Sequence, residues 1–155
     1  SILSMRTIQR DIVAILIFSK DGKLFQAKRD PVRGGVWSDC WNIPGGGVED
    51  GESKEDAIRR ETLEETGIDI SSYSLEMIDD QGSGIAEKTL KETGERVLAD
   101  MKFTVYKVVL DKNAADVDLY CDEEFIEGKW STIEEAKQLK LTPPTVELFQ
   151  RLGYL

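Results

Sequence analysis

Glu61, Glu64 and Glu65 crowd into five residues beside Arg60, downstream of a loop that carries Gly46, Gly47, Gly51 and Glu52. On a helix, at about 100° per residue, the three carboxylates project within a sector roughly 100° wide. Ala57 lies near its middle, while Ile58, Thr62 and Leu63 point elsewhere. Such neighbours repel by about 0.2–0.5 kcal/mol per exposed pair, and by roughly 3 kcal/mol at ~5.5 Å in an effective dielectric of 20. A divalent cation reverses the sign of that cost. Oxygen-only donors suit hard ions, Mg²⁺ or Mn²⁺, and Mg²⁺ keeps positions open for water and substrate phosphate, so the implied substrate carries phosphate. The competing reading is a solvated acidic stripe, the ordinary fate of a charge run.

Local signals place these residues on a helix. Ser53 followed by Asp56 is a capping-box-like pair that satisfies the free amides of a first turn, and Glu55 and Asp56 suit the positive end of the dipole. Gly67 stands where a left-handed residue ends a helix. The spacing predicts a helix over Lys54–Thr66. On it, Arg60 offers a planar fork that can fix a carboxylate, either Glu52 in the preceding loop or Glu64 one turn on. Upstream, Trp41-Asn42-Ile43-Pro44-Gly45-Gly46-Gly47 reads as a short strand ending in glycines, which let backbone approach phosphate or metal closely.

The spacing resembles the signature of the Nudix hydrolases: Gly, five residues, Glu, seven residues, Arg-Glu, an aliphatic, any residue, Glu-Glu, any residue, Gly, an aliphatic. Here those places hold Gly46, Glu52, Arg60, Glu61, Thr62, Glu64, Glu65, Gly67 and Ile68, and eight of the nine fit. Thr62 replaces the usual aliphatic but is β-branched and small enough to pack. The resemblance implies an α/β protein, a Nudix-type α/β/α sandwich with a mixed sheet and a metal-bearing loop-helix. It implies metal-dependent hydrolysis of the phosphoanhydride bond of a nucleoside diphosphate linked to another moiety, with Mg²⁺ or Mn²⁺ as cofactor. By the same resemblance, Glu61, Glu64 and Glu65 hold the metal, a carbonyl at Gly45 or Gly46 can join them, and Arg29 is a cation near the nucleotide. A further glutamate before Trp130, with Glu124 the best match and Glu123 the fallback, completes the site or acts as base. Glu61 and Glu124 both remain open for the role of base.

Composition limits the alternatives. A chain of 155 residues, 40% hydrophobic, can bury one core, and it contains no run of 18 apolar residues. The longest apolar stretch, Ile12 to Phe18, is strand length, and no secretion signal opens the chain, so a cytoplasmic protein is expected. The expected single domain spans the chain, with residues 1–7 outside its ordered part and Ser1 to Ser4 attributable to processing. A net charge of −10 argues against extended nucleic-acid contact, though a small anion bridged by metal stays admissible. Histidine is absent, which excludes imidazole-bound zinc and serine–histidine triads. Cys40 and Cys121 lack metal-ligand spacing and read as buried free thiols.

The elements around the acidic helix follow from periodicity. Ile8 to Ser19 is a β-branched central strand closed by Asp21-Gly22, and Lys23 to Lys28 returns as a second. Asp30 to Cys40 is a loop carrying Trp37; Trp37 or Trp41 could stack on a base. Strands are expected at Tyr73 to Asp80, Val97 to Leu110 and Gly128 to Ser131, and Ile85 to Gly94 is a short helix or a hairpin excursion. A short helix within Thr132 to Lys140 and an amphipathic one over Thr145 to Leu152 close the chain. The asparagine that reads 8-oxo-purines in mutator-type relatives follows a Pro-Pro, whereas Pro143-Pro144 here precedes Thr145. An 8-oxo-purine specificity is therefore not expected; a nucleoside triphosphate or related small nucleotide is, because the acidic surface disfavours a long polyanion such as capped RNA, with no membrane partner, and the chain could assemble as a homodimer. The rival class is a non-catalytic Nudix-fold nucleotide or phosphosugar sensor; an isopentenyl diphosphate isomerase using Cys40 fits less well, because those enzymes carry an altered box.

Overall fold

The computed structural model of the protein describes residues 4–29, 37–120 and 125–155; Cys121, Glu123, Glu124 and most of the loop after Arg29 lie outside them. Its centre is β1 (Arg6–Phe18), whose alternating pattern sends Val13, Ile15 and Ile17 to one face and Leu16 and Phe18 to the other. Along its whole length β1 runs parallel to β7 (Arg96–Val109), from Arg6 opposite Val97 to Phe18 opposite Val109. The Asp21-Gly22 turn, with Gly22 at φ 81°, returns the chain as β2 (Leu24–Arg29). Strand β2 carries β3 (Trp41–Asn42) and β8 (Phe125–Ser131), while β5 (Glu76–Asp79) and β6 (Ser83–Thr89) pair with successive stretches of β7. Together with β4 (Gly45–Gly47), which pairs with β1, they form a mixed eight-stranded sheet.

Helix α1 (Lys54–Thr66) covers one face, burying Ala57 and Ile58 against Val13, Ile15 and Phe25. On the other face, α2 (Ile133–Ala136) and α3 (Pro143–Arg151) pack Ala136, Leu148 and Phe149 over Leu16, Leu24 and Val105. This is the expected three-layer α/β/α sandwich. No helix among the described residues is long and apolar enough to cross a membrane.

Several boundaries differ from the sequence expectation, each for a local reason. Arg6 and Thr7, expected outside the ordered part, are strand because the parallel ladder with β7 extends to them. Ile85 to Gly94 takes the hairpin form: β6 pairs with β7 through a turn at Gly94, which has φ 72°. Strand β8 begins at Phe125, because Arg29 and Lys28 of β2 extend its ladder beyond Gly128. Helix α3 begins two residues before Thr145, since Pro143 and Pro144 occupy first-turn positions where a missing N–H costs nothing. Helix α2 is only one turn long, closed by a full capping box in which Thr132 and Glu135 exchange bonds of 3.0 and 3.2 Å.

Candidate active site

The site is built on a strand without side chains. Strand β4 lies antiparallel to β1 with Gly47 opposite Ile12, Gly46 opposite Val13 and Gly45 opposite Ala14. The N–H of Ile15 donates to Pro44 O at 3.0 Å and that of Val48 to Asp11 O at 2.9 Å. Because antiparallel pairs alternate, these bonds put Val13 and Gly46 in a bonded pair and turn the polar groups of Gly45 and Gly47 away from β1. Those groups meet α1. The Gly45 N–H donates to Glu65 Oε1 at 3.3 Å, and Gly47 O accepts from Arg60 Nη2 at 3.1 Å. Of the two glycines named as carbonyl donors, Gly45 is thus the one that faces the acidic helix.

Helix α1 has the predicted limits. Ser53 Oγ accepts from Asp56 N–H at 3.0 Å, and Gly67, at φ 75°, closes the last turn by donating to Leu63 O at 2.9 Å. Its acidic sector, however, faces inward. Ala57, at the middle of that sector, is fully buried; Glu65 is 5% exposed, while Leu63 is 50% exposed. Glu61 lies against Gly46, where an added Cβ would come within 2.4 Å of Oε1. The i, i+4 column of Ala57, Glu61 and Glu65 is thereby laid along β4, and Glu64 stands on the outer rim. Burying two carboxylates is costly unless they are hydrogen-bonded and their charge is compensated, and the glycine strand and Arg60 do both.

Arg60 binds Glu52 through two bonds, Nε to Oε2 at 2.8 Å and Nη2 to Oε1 at 2.9 Å. From the same guanidinium, Nη1 reaches Glu61 Oε1 at 3.0 Å and Glu64 Oε2 at 3.3 Å. Both orienting roles open to it from sequence, toward Glu52 and toward Glu64, are filled at once. The bonds from Arg60 and then from the Glu49 N–H hold the Glu52 carboxyl down at about 2, and the bond to Glu52 raises Arg60. Thr62, the exception to the motif, is buried in the core and spends its hydroxyl on Ile58 O at 2.6 Å, so it replaces an aliphatic without leaving an unpaired polar group.

Metal binding is a question of donor chemistry. Among the described residues no three acidic side chains already converge as a metal cage does; the cation on which Glu52, Glu61 and Glu64 converge is Arg60. The donors nevertheless suit a hard divalent ion: they are oxygens only, and Glu61 and Glu65 lie along one helix column beside Gly45 and Gly46. The two bonds to Glu52 anchor Arg60 independently of Glu61 and Glu64, leaving those carboxylates able to exchange the guanidinium for another cation.

On the far side of β4 a cleft of about 320 Å³ opens between the sheet and α3, with Ile12, Ala14, Phe103 and Val105 as its floor. Arg29, Trp37, Gly45 and Gly46, all expected near the ligand, line it. Trp37 is 43% exposed, whereas Trp41 is buried in the core under α3 and is no stacking platform. Glu123 and Glu124 lie outside the described residues. Sequence reasoning missed Asn42, Thr145 and Arg151, which also line the cleft. Asn42 Oδ1 accepts from Ile43 N–H at 2.9 Å and from the Thr145 hydroxyl at 3.5 Å, and Arg151 is clamped to Asp79 by bonds of 2.9 and 3.0 Å. Asn42 sits inside the glycine lead-in and could have been found there; the 72-residue separation of Asp79 and Arg151 leaves no local signal.

A glutamate helix pressed on a glycine strand at the edge of a nucleotide-sized cleft defines a class that the comparisons identify. The sequence model of the NUDIX domain matches residues 8–152. The chain belongs to the Nudix hydrolase family and is a pyrophosphohydrolase of that family. It is 32% identical over 150 residues to the nucleoside triphosphatase NudI of an Enterobacter species, covering 95% of this chain and 99% of that protein. Over a shorter stretch of 66 residues, 43% of this chain and 36% of the relative, it is 40% identical to the RNA pyrophosphohydrolase of Hydrogenovibrio crunogenus. Its fold matches the crystal structure of a MutT protein from Methanosarcina mazei with a TM-score of 0.70 at 22% identity, covering 97% of this chain and 96% of that one.

Proposed function

We propose that the protein hydrolyses a phosphoanhydride bond of a small nucleotide, a nucleoside triphosphate foremost, with Mg²⁺ as cofactor and Mn²⁺ as a substitute. The observation that carries this reading is the glycine strand: Gly45, Gly46 and Gly47 line the cleft, and the Glu61 carboxylate fills the space on their helix side where a Gly46 Cβ would stand. The full-length likeness to NudI supports a triphosphate; the likeness to an RNA pyrophosphohydrolase covers less than half of the chain. The net charge of −10 also disfavours a long polyanion.

In this reading Glu61, Glu64, Glu65 and the Gly45 carbonyl hold the ion, and Arg60 positions Glu61 and Glu64 from its anchor on Glu52. The ion, when bound, neutralises the diphosphate and acidifies the attacking water. One carboxylate accepts the water's proton, Glu61 or Glu124. Trp37 offers a face for the base, and Arg29 a cation for the nucleotide. The test is release of phosphate or pyrophosphate from a panel of nucleoside triphosphates, nucleotide sugars and dinucleoside polyphosphates with Mg²⁺. Turnover of one class, abolished by chelation, is expected. Tight nucleotide binding with no turnover anywhere in the panel would instead make the chain a sensor.

A further inference from the structure

Five arginines of this acidic protein are committed to acids, and Arg10, which matters for the cleft, is not. Arg6, Arg59, Arg60, Arg96 and Arg151 each bind a glutamate or aspartate. Arg10 has no hydrogen bond or ion pair among the described residues, although acids outnumber bases in the chain by 30 to 20. Its guanidinium lies directly over Gly47, where an added Cβ would come within 2.5 Å of Nη2. Lys88 of β6, which lines the cleft, likewise has no hydrogen bond or ion pair among the described residues. Desolvation lowers the pKa of Lys88, and the charges of Arg10 and Lys91 lower it further. Two half-buried cations held near each other, with no anion bonded to either among the described residues, are an unfavourable arrangement, and a bound anion removes the cost.

The position of the pair along the sheet says which anion. Ala14, Ile12 and Arg10 are successive residues on one face of β1, spaced by about 6.7 Å. Ala14 lies opposite Gly45, Ile12 opposite Gly47, and Arg10 one step beyond the end of β4. Trp37, Asn42 and Thr145 of the lining offer the aromatic face and the polar groups that a base can use. A phosphate chain running along β4 from Gly45 passes Gly46, against which Glu61 lies, and then reaches Arg10 over Gly47, with Lys88 beside it.

We infer that Arg10 and Lys88 form a subsite for the terminal phosphate of a nucleoside triphosphate, and that they select triphosphates over shorter phosphate chains. This rests on the hydrolase reading for the path of the phosphates but not for the existence of the anion site. The test is equilibrium binding, by calorimetry, of a methylene-bridged nucleoside triphosphate and the matching monophosphate to the wild type, Arg10→Met, Lys88→Met and Arg10→Lys. Thermal melts of all four proteins are compared alongside. Each methionine variant is expected to weaken the triphosphate about tenfold, as for loss of one charged phosphate contact, and to leave the monophosphate within about twofold. Arg10→Lys recovers part of the loss. Unchanged triphosphate affinity, an equal loss for both ligands, or no triphosphate binding by the wild type overturns the subsite. A wild type that binds triphosphate through this pair but cleaves nothing retains the subsite and loses the hydrolase reading. Cleavage with the same triphosphate preference in every variant does the reverse.

Discussion

Adjacent glycines of β4 should fail in opposite ways when given a methyl group. At Gly46 an added Cβ would sit 2.4 Å from Glu61 Oε1, against an ordinary contact of 3.4 Å or more, so the carboxylate must retreat by about 1 Å. The atom that moves is the free end of a flexible side chain, and Gly46 does not have a positive φ, so the fold has little to lose. A glycine replaced at a compatible conformation even gains about 0.4–1 kcal/mol through the unfolded chain, which offsets the lost contact to Arg60. Melting of Gly46→Ala should therefore stay within a few degrees of the wild type. Its activity should not: misplacing a reacting or ion-holding group by about 1 Å can cost on the order of 100-fold. At Gly45 the same methyl group would meet Val13 O at 2.2 Å and Ala14 Cα at 2.9 Å, which are backbone atoms of the central strand. Relief there requires parting β4 from β1, at about 1–3 kcal/mol as for an overpacked core. Thermal melts beside kcat/KM for the best substrate of the panel decide the matter. A Gly46→Ala protein that melts normally and keeps more than half its activity would refute the claim that the Glu61 position is functional. One that unfolds would refute the claim that only a side-chain tip stands in the way.

Three further outcomes follow from the same geometry. Glu65→Gln keeps an oxygen that can accept from the Gly45 N–H, so it should fold normally yet lose at least about 100-fold in turnover; unchanged turnover would remove Glu65 from the chemistry. Glu52 has its carboxyl held at about 2, below the 4.5 of an unperturbed glutamate, so the charged form is favoured by folding. Its stabilisation is complete above about pH 4.5 and is lost as pH falls from there toward 2, so the stability gap between wild type and Glu52→Gln in urea unfolding should close across that window. A gap that stays constant down to pH 3 would mean that Glu52 gains nothing from Arg60. Chelating divalent ions should abolish hydrolysis while leaving Arg60 bonded to Glu52, so the melting temperature without substrate should barely move; a large drop would assign the metal a structural role instead.

What sequence reading could reach was set by how local each signal is. The helix from Lys54 to Thr66 was legible to the residue, because Ser53 and Gly67 fix its ends through bonds to atoms within four residues. The apolar runs in β1 and β7 were equally plain, since both strands bury side chains on both faces of the sheet. A helical projection, by contrast, gives angles around an isolated helix and says nothing about which angle faces the sheet. The glutamate sector, centred on Ala57, could be taken for a solvent stripe, and it faces inward only because a strand of three glycines leaves room for carboxylates where a side chain would exclude them. The same limit hid Arg10. In the sequence it is one polar residue among several at the exposed start of a strand; only the register that sets Ile12 opposite Gly47 carries it over the end of the glycine strand. Function in this chain is thus written as complementarity between an acidic helix and a bare strand. A sequence signature can record both halves of that pair, but the contact between them, and the cations that gather at its edge, exist only once the sheet has aligned them.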